Sequence, residues 1–271
     1  MILSYSRHAL DPVMFSREVL GITPDPWQAQ LLRSPAKRIL LNCSRQSGKS
    51  TSSAILALHR ALFFPDSLIL LISPSLRQSS ELFKKVSGFY KTVPDQAPLP
   101  EDNRLSMTLS NGSRIVSLPS SEANIRGFSA VSLVIEDEAS RVDDSLYRAV
   151  RPMLAVSSGR LMLMSTPWGK RGHFFEEWSG GGESWERIEI PAHKCPRISP
   201  EFLEEERTSL GEWWYLQEYG CKFMETTDSL FTYDVIMKAL DDTIEPLYPV
   251  IPAVIPGLSD IEPLYPAGGT T

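Results

Sequence analysis

Long apolar runs and paired cysteines are both missing from this sequence of 271 residues. No apolar run approaches the ~18 residues needed to cross a bilayer, and the start MILSYSRHAL lacks the continuous apolar segment of a secretion signal. We therefore expect a cytoplasmic protein that does not contact a membrane. The three cysteines, Cys43, Cys195 and Cys221, show no CxxC spacing, which argues against a disulfide framework or a zinc site.

An excess of positive charge is missing as well. Lys and Arg number 27 and Asp and Glu number 33, for a net charge of −6. Residues 228–271 hold one Lys and seven Asp and Glu, which leaves 26 charges of each sign in residues 1–227. A neutral body permits a local basic groove without demonstrating one. Composition therefore neither supports nor excludes a nucleic-acid partner.

Proline is concentrated in the last part of the chain. Six prolines follow Thr243, and IEPLYP occurs twice, at 244–249 and 261–266. Proline lacks a backbone donor and interrupts helices, so we expect residues 241–271 to lie outside the fold as an extended or disordered tail. A peptide-like docking motif is the alternative interpretation.

Apolar runs of strand length alternate with helical patterns along the body. The runs are RILLNC (38–43), SLILLIS (67–73), SRIVSL (113–118), SLVIED (132–137), RLMLMS (160–165) and, more weakly, WERIEI (185–190). The helices predicted between them span 49–62, 75–92 and 143–154. Runs that are apolar at nearly every position suit strands buried on both faces. Their alternation with helices predicts an α/β fold with a central, mostly parallel, doubly wound sheet.

The octet CSRQSGKS (43–50) joins the first of these strands to the first helix. A phosphate-binding loop occupies this place in a fold, although Cys43 stands where such loops normally have their first glycine. Lys49 would reach the β- and γ-phosphates, and the Ser50 hydroxyl would be a ligand for Mg²⁺. The residues predicted to surround the phosphates are Ser44, Arg45, Gln46, Ser47, Gly48, Lys49, Ser50 and Thr51.

Two acidic residues follow the strand in LVIEDEAS (133–140). Asp137 is predicted at the carboxyl edge of the sheet beside the loop, where it can hold Mg²⁺ with its water shell, and Glu138 can polarise the attacking water. Glu136 and Asp137 offer an alternative register for the same two roles. We prefer the later pair, because strand alternation then directs Asp137 and Ile135 to one side and leaves Glu138 beyond the strand end.

Six segments resemble, in order and spacing, the ATPase half of the large terminase subunit of tailed bacteriophages, over roughly residues 10–232. They are TPDPWQAQLL (23–32), CSRQSGKS (43–50), LISPSLRQSSELF (71–83), ANIRGFSA (123–130), LVIEDEAS (133–140) and LMSTPWGKRGHFFEEW (163–178). The resemblance implies an ASCE, RecA-like P-loop fold and a motor that couples hydrolysis of Mg-ATP to translocation of double-stranded DNA into a capsid. In this family the loop can lack its first glycine and carries an arginine. The same holds here, where Cys43 stands in the place of the glycine and Arg45 is the arginine.

The resemblance also implies roles for residues outside the two motifs. Trp27 and Gln28 match a segment that recognises adenine, the glutamine by pairing with the base and the tryptophan by packing alongside it. Arg45 would contact the γ-phosphate region. Arg126, in NIRGF, matches an arginine that acts as a finger in the site of a neighbouring subunit. Thr166, in STPWG, matches a segment that couples nucleotide state to DNA. Core packing for Trp27 and a structural role for Arg126 are the alternatives.

Domains and partners follow from the same resemblance. It implies an ATPase core at 1–192, a lid and linker at 193–240, and the tail at 241–271. The expected partners are double-stranded DNA, the portal protein, the small terminase subunit and further copies of the chain in a ring, in the host cytoplasm and transiently on the procapsid.

The end of the chain departs from the family pattern. A complete large subunit continues with an RNase H-like nuclease, whereas forty residues follow Phe231 here. We therefore expect no nuclease activity in this chain, which would be a truncated product or an ATPase that works with a separate nuclease. Another P-loop DNA translocase and a catalytically silent assembly subunit remain alternative functions.

Overall fold

An eight-stranded sheet forms the centre of the protein. The computed structural model describes residues 2–95, 97–120, 125, 127–225 and 235. Its strands are β1 (Arg38–Cys43), β2 (Leu68–Ser73), β3 (Glu101–Asp102), β4 (Ser106–Thr108), β5 (Arg114–Pro119), β6 (Leu133–Asp137), β7 (Arg160–Ser165) and β8 (Glu186–Ile190). They are ordered β3-β4-β5-β2-β6-β7-β1-β8, with parallel pairing from β5 to β8 and an antiparallel β3–β4 hairpin extending the β5 edge.

Helices cover both faces of this sheet. They are α1 (Ile2–Leu10), α2 (Pro12–Glu18), α3 (Pro26–Arg33), α4 (Lys49–Phe63), α5 (Leu76–Thr92), α6 (Asp144–Val150), α7 (Gly172–Gly180) and α8 (Pro200–Glu218). Side-chain oxygens of Asp11, Ser75, Asp143 and Ser199 cap the first turns of α2, α5, α6 and α8. The polar residues before these helices thus fix where each one begins.

Alternation along the strands produces two hydrophobic cores. Ile39 and Leu41 of β1 face a core that includes Leu58 of α4, whereas Leu40 faces the opposite core with Leu146 of α6. A strand covered on both faces has no solvent side, which explains why the strand sequences are apolar at nearly every position. The predicted α/β fold with a doubly wound, mostly parallel sheet is confirmed.

The six predicted strands and the first two predicted helices are present with bounds that differ by about one residue. The last predicted helix, 143–154, is α6 followed by a 3₁₀ turn at Arg151–Leu154. Sequence patterns missed α1 to α3, the β3–β4 hairpin, α7 and α8. Within α8, Gly211 leaves the helical conformation at φ 76° and ψ 160°, so the helix is broken there.

Strand β7 lies between β1 and β6 and aligns their carboxyl ends. Asn42 of β1 pairs with Ser165 of β7, while Met164 pairs with Asp137 of β6. Since these strands are parallel, the loop after β1, the acids at the end of β6 and the hydroxyls after β7 meet at one edge of the sheet. The topology therefore assembles three distant segments into one place.

Residues 1–228 form one compact unit, and of the chain beyond it residue 235 alone is described. The predicted tail at 241–271 lies outside the described residues. The predicted boundaries between core, lid and tail stay predictions.

Candidate active site

The loop after β1 closes without a glycine at its first position. Cys43 is the last residue of β1 and has no exposed surface, and an extended strand residue does not require glycine. Burial raises the pKa of the Cys43 thiol to about 12, so the thiol remains neutral. Positive φ angles occur further along, at Gln46 (59°) and Gly48 (95°), where the loop turns into α4.

The left-handed conformation at φ 95° favours glycine at position 48, and two side-chain ends pack closely against it. A Cβ atom at this position would lie 2.7 Å from Nε2 of Gln28 and 3.0 Å from a terminal guanidinium nitrogen of Arg197. The glycine therefore lets α3 and the segment before α8 approach the loop from outside.

Lys49 joins the three segments that meet at the sheet edge. Its Nζ donates to Oε1 of Glu138 at 2.5 Å and lies 3.4 Å from Oγ1 of Thr166. Burial disfavours the charged form of Lys49, but the carboxylates of Glu138 and Asp137 outweigh that effect and raise its pKa. Lys49 is therefore held as a cation between the ends of β6 and β7.

Asp137 and Glu138 differ in their surroundings although they are adjacent. Asp137 is 8% exposed, and its Oδ1 accepts the Glu138 backbone N–H at 3.0 Å. Burial raises the pKa of Asp137 to about 6, an effect that Lys49 opposes and Glu138 reinforces. Glu138 adopts the left-handed conformation, with φ 55° and ψ 42°, just beyond the strand. This turn directs its side chain toward Lys49.

Glu136 belongs to the opposite face of the sheet. Its side chain has no exposed surface, and its Oε1 lies 2.7 Å from Nε2 of His173. The other ring nitrogen of His173 is 3.0 Å from Oδ1 of Asp144, and Tyr147 stacks on the ring at 4.7 Å between centroids. Strand alternation thus places Glu136 on the face opposite Asp137, while the left-handed turn beyond the strand end directs Glu138 toward Lys49.

A cavity of about 590 Å³ lies over the loop. Six predicted loop residues, from Arg45 to Ser50, line it with Thr51, Glu138 and Thr166. Ser44 and Asp137 are buried behind the lining. The lining residues that sequence patterns did not reveal are Gln78, Lys85, Arg141, Arg197 and Glu218.

One ion pair and two hydrogen bonds attach the last third of the described chain to the loop, and a second ion pair attaches it to Asp25. Arg45 Nε donates to the Glu218 carboxylate at the end of α8, and the Arg45 backbone N–H donates to the Glu218 carbonyl at 3.1 Å. Arg197 donates to Oδ2 of Asp25 and to the Ser47 carbonyl, both at 2.7 Å. The segment around α8 therefore closes one side of the cavity.

The predicted adenine segment occupies a different environment from the one expected. Trp27 is 8% exposed and packs in the core, so its ring does not line the cavity. Oε1 of Gln28 accepts the Asp25 backbone N–H at 2.8 Å, and Nε2 lies 3.4 Å from the Gly48 carbonyl. The Trp27 ring therefore packs in the core and Gln28 contacts the loop, and their part in adenine recognition stays a prediction.

Hydroxyls connect the end of β7 to the acidic turn. Oγ of Ser140 and Oγ of Ser165 are 2.6 Å apart, and Ser140 also donates to the Thr166 carbonyl at 2.8 Å. Ser165 Oγ lies 3.4 Å from Oε2 of Glu138. A movement of Glu138 would therefore disturb the hydrogen bonds that hold the segment beginning at Thr166.

Arg126, the predicted finger, lies outside the described residues. Within the part of the chain that is described, no cluster of three or more His, Cys, Asp or Glu suits a metal ion. None of the described helices combines the length and hydropathy needed to cross a membrane.

Comparison with known proteins places these features in a family. The sequence profile of the N-terminal part of T4likevirus-type terminase large subunits matches residues 40–237. Large terminase subunits of Thermus phage G20c and Thermus virus P23-45 are each 27% identical, over 79% of this chain and 52% of theirs. The chain thus spans about half the length of these relatives.

Solved structures share the fold. The ATPase domain of the Thermus phage P74-26 large terminase matches with a TM-score of 0.68 and 24% identity, over 79% of this chain and 100% of that one. A large terminase from a thermophilic bacteriophage, in complex with ADP, matches with a TM-score of 0.62 and 12% identity, over 74% and 54%. With a family profile that covers most of its length, this chain belongs to the T4likevirus-type large terminase subunits and represents their N-terminal part.

Proposed function

We propose that this chain is a Mg-dependent ATPase and the motor part of a DNA-packaging terminase. The observation that carries the proposal is the contact between Lys49 and Glu138 within a cavity built on a phosphate-binding loop. A lysine at the start of the loop helix and a carboxylate beyond a parallel strand are the two side chains that ATP hydrolysis needs at one place. The ADP and ATPγS complexes of the thermophilic bacteriophage terminase support the same assignment.

The roles of these residues follow from their charges. Phosphate oxygens compete with Glu138 for the Lys49 ammonium, and Glu138, once released, is free to orient water toward the γ-phosphate. Backbone N–H groups from Gln46 to Lys49 and the start of α4 favour the phosphate charges. Arg45 adds a permanently charged donor, which Glu218 holds until phosphate replaces it.

The donors at this edge of the sheet fit magnesium. Ser50 and Asp137 supply a hydroxyl and a carboxylate, which are hard oxygen ligands, and Mg²⁺ commonly takes one or two protein ligands with water and phosphate completing its shell. When bound, Mg²⁺ would be held by Ser50 and Asp137 and would neutralise part of the phosphate charge.

The proposed role in DNA packaging determines which partners we expect for this chain. Double-stranded DNA would be contacted through its phosphates, independently of sequence, while a ring of copies assembles on the portal protein with the small terminase subunit. The protein would act in the host cytoplasm and transiently on the procapsid. The family to which the chain belongs supports this assignment.

Hydrolysis of ATP by the purified chain tests the proposal, with and without double-stranded DNA. Lys49→Ala should reduce the rate to background because it removes charge from the transferring phosphoryl group. Glu138→Gln should bind ATP within about threefold of the wild-type affinity but block turnover, because the amide cannot take up a proton from water. Glu136→Gln, on the opposite face, should keep activity under conditions where a thermal melt shows that it is folded, because Glu136 does not line the cavity.

Two outcomes would contradict the proposal in different ways. A wild-type chain that binds ATP without hydrolysing it would be a silent assembly subunit. Normal hydrolysis by Glu138→Gln together with loss in Glu136→Gln would show that the earlier acidic pair performs the chemistry.

A further inference from the structure

We propose that Arg141 is a further ligand-binding residue of this cavity, which contacts the terminal phosphate of a nucleoside triphosphate and is positioned for it by Trp168. This inference rests on the proposed function and deepens it. It would add Arg141 to the side chains through which the site distinguishes a triphosphate from a diphosphate.

Arg141 is fixed to the acidic turn by its backbone. It ends the 3₁₀ turn Ala139–Arg141 that follows Glu138, and its N–H donates to the Glu138 carbonyl at 2.8 Å. Its side chain lines the same cavity as Lys49 and Glu138. A guanidinium is thus placed on the side of the cavity where hydrolysis would occur.

The charge balance of the cavity distinguishes Arg141 from the other cationic residues that line it. Lys49 and Arg45 are paired with Glu138 and Glu218, and Arg197 is paired with Asp25. The Lys85 ammonium donates to Oγ1 of Thr51 at 3.4 Å. Every one of these four cations already has an oxygen partner.

Arg141 has a different kind of contact. Its guanidinium carbon lies 4.0 Å from the centroid of the Trp168 ring, and no acceptor among the described residues contacts its N–H groups. Stacking occupies the face of a guanidinium and leaves its planar set of N–H donors directed outward. Those donors match the paired oxygens of a phosphate. The structure therefore provides an oriented cation whose donors are free to bind an anion.

The position of Arg141 in the cavity favours contact with the terminal phosphate over the other phosphates. The loop amides and the start of α4 would bind the phosphates nearer the nucleoside. Glu138 and Thr166 line the end of the cavity where hydrolysis would occur. Arg141 is three residues beyond Glu138 and tied to its carbonyl. Its contribution should therefore be present with a triphosphate and small with a diphosphate.

Trp168 acts through Arg141 and is a positioning residue. It lies two residues beyond Thr166, and its ring is 6.3 Å from that of Trp214 in α8. Contacts from Arg141 to Trp168 and from Trp168 to the tilted ring of Trp214 thus link the acidic turn to the last helix described. Removing the indole should leave the charge of Arg141 in place but lose its orientation.

Equilibrium binding of ATPγS and ADP to the purified chain tests the inference. Arg141→Ala should weaken ATPγS binding by about tenfold or more, as expected for a lost charge-assisted hydrogen bond, and change ADP binding by less than about twofold. Arg141→Lys should lie between wild type and alanine because it keeps charge but loses the planar donors. Trp168→Leu should reproduce part of the selective loss, and Trp168→Phe should retain affinity.

The matched control is Arg104→Ala, which removes an exposed arginine from the β3–β4 turn and should change neither affinity. Equal weakening of both nucleotides by Arg141→Ala, or no change in either, would overturn the inference while leaving the proposed ATPase intact. A wild-type chain that binds neither nucleotide would overturn both. Thermal melts of each variant establish that the comparison is made between folded proteins.

Discussion

His173 and Glu136 form a buried pair that the proposed chemistry does not use. Both side chains are almost fully buried, and His173 also contacts Asp144. Burial opposes protonation of His173, but the Glu136 and Asp144 carboxylates outweigh it and raise the pKa of the imidazole. The pair connects the end of β6 to the first turn of α7 and so fixes one end of the segment after β7.

We predict that His173→Gln lowers stability by about 3–5 kcal/mol near pH 6, because Glu136 loses its cationic partner in the core. The pKa of His173 is higher in the folded state than its usual value of 6.5, so its contribution is full below about pH 6.5 and is lost as pH rises through the raised pKa. Urea unfolding between pH 6 and 9 measures the difference between variant and wild type.

The control for this prediction is the exposed His193, whose substitution by glutamine should leave stability unchanged at each pH. A stability difference for His173→Gln that grows toward pH 9 would contradict the assigned direction.

Candidate site residues that are adjacent in the sequence could be predicted. Residues that come together only in the folded protein could not. Lys49, Ser50, Asp137 and Glu138 belong to two short motifs whose strand context is visible in the sequence. The adenine-recognition role that the resemblance assigns to Trp27 stays a prediction, and the motif alone does not indicate that the ring packs in the core. The distant lining residues have no local pattern, so only the fold reveals them: Gln78, Lys85, Arg141, Arg197 and Glu218.

The same distinction applies to helices and strands. Strands buried on both faces leave a continuous apolar signal, and the six of them were predicted nearly to the residue. The β3–β4 hairpin has strands of two and three residues, too short to show a period of two. Helix α8 was not predicted because its exposed and buried residues do not follow one helical face across the break at Gly211.

Helix α8 contacts the phosphate-binding loop through Glu218. This carboxylate holds the Arg45 guanidinium, which is the donor that phosphate would need. Because the Arg45 side chain is 59% exposed, we expect the ion pair to contribute at most about 1 kcal/mol. Glu218 and a bound nucleotide therefore compete for the same cation, and nucleotide binding should loosen the end of α8 from the loop.

We predict that Glu218→Gln tightens ATPγS binding by up to about fivefold, because phosphate no longer displaces a carboxylate from Arg45. Equilibrium titration measures the affinity. Glu212→Gln breaks the exposed Arg207 pair on the same helix and should leave affinity unchanged. Weaker binding by Glu218→Gln would show that Glu218 supports the site instead of competing with phosphate.

Assembly into a ring would add a residue that one chain cannot supply to itself. The family resemblance assigns that part to Arg126, which would reach the site of a neighbouring subunit. A finger in trans lies outside its own site, so Arg126→Ala should keep the ATP affinity of the isolated chain. Its rate should fall most where subunits assemble, since a finger can be worth ~10³-fold in hydrolysis.

Mixing two inactive variants tests this prediction. Arg126→Ala chains keep the water-orienting Glu138, and Glu138→Gln chains keep the finger, so a mixture should recover hydrolysis that neither shows alone. Rates measured across protein concentration accompany the mixing. No recovery in assemblies confirmed by light scattering, or a wild-type rate per chain that stays constant on dilution, would return Arg126 to a structural role.

The ion pairs at the cavity should also affect the turnover rate of the proposed ATPase. In the proposed ATPase, Lys49 and Arg45 each have a carboxylate of the protein, Glu138 or Glu218, that would take the place of a departing phosphate. After ADP leaves, these cations would be paired again, so the free energy of that state would be lower. Such internal competition would weaken affinity but accelerate product release, which is often the slowest step of an efficient enzyme. A packaging motor of the proposed kind would gain turnover from a site that binds its product loosely.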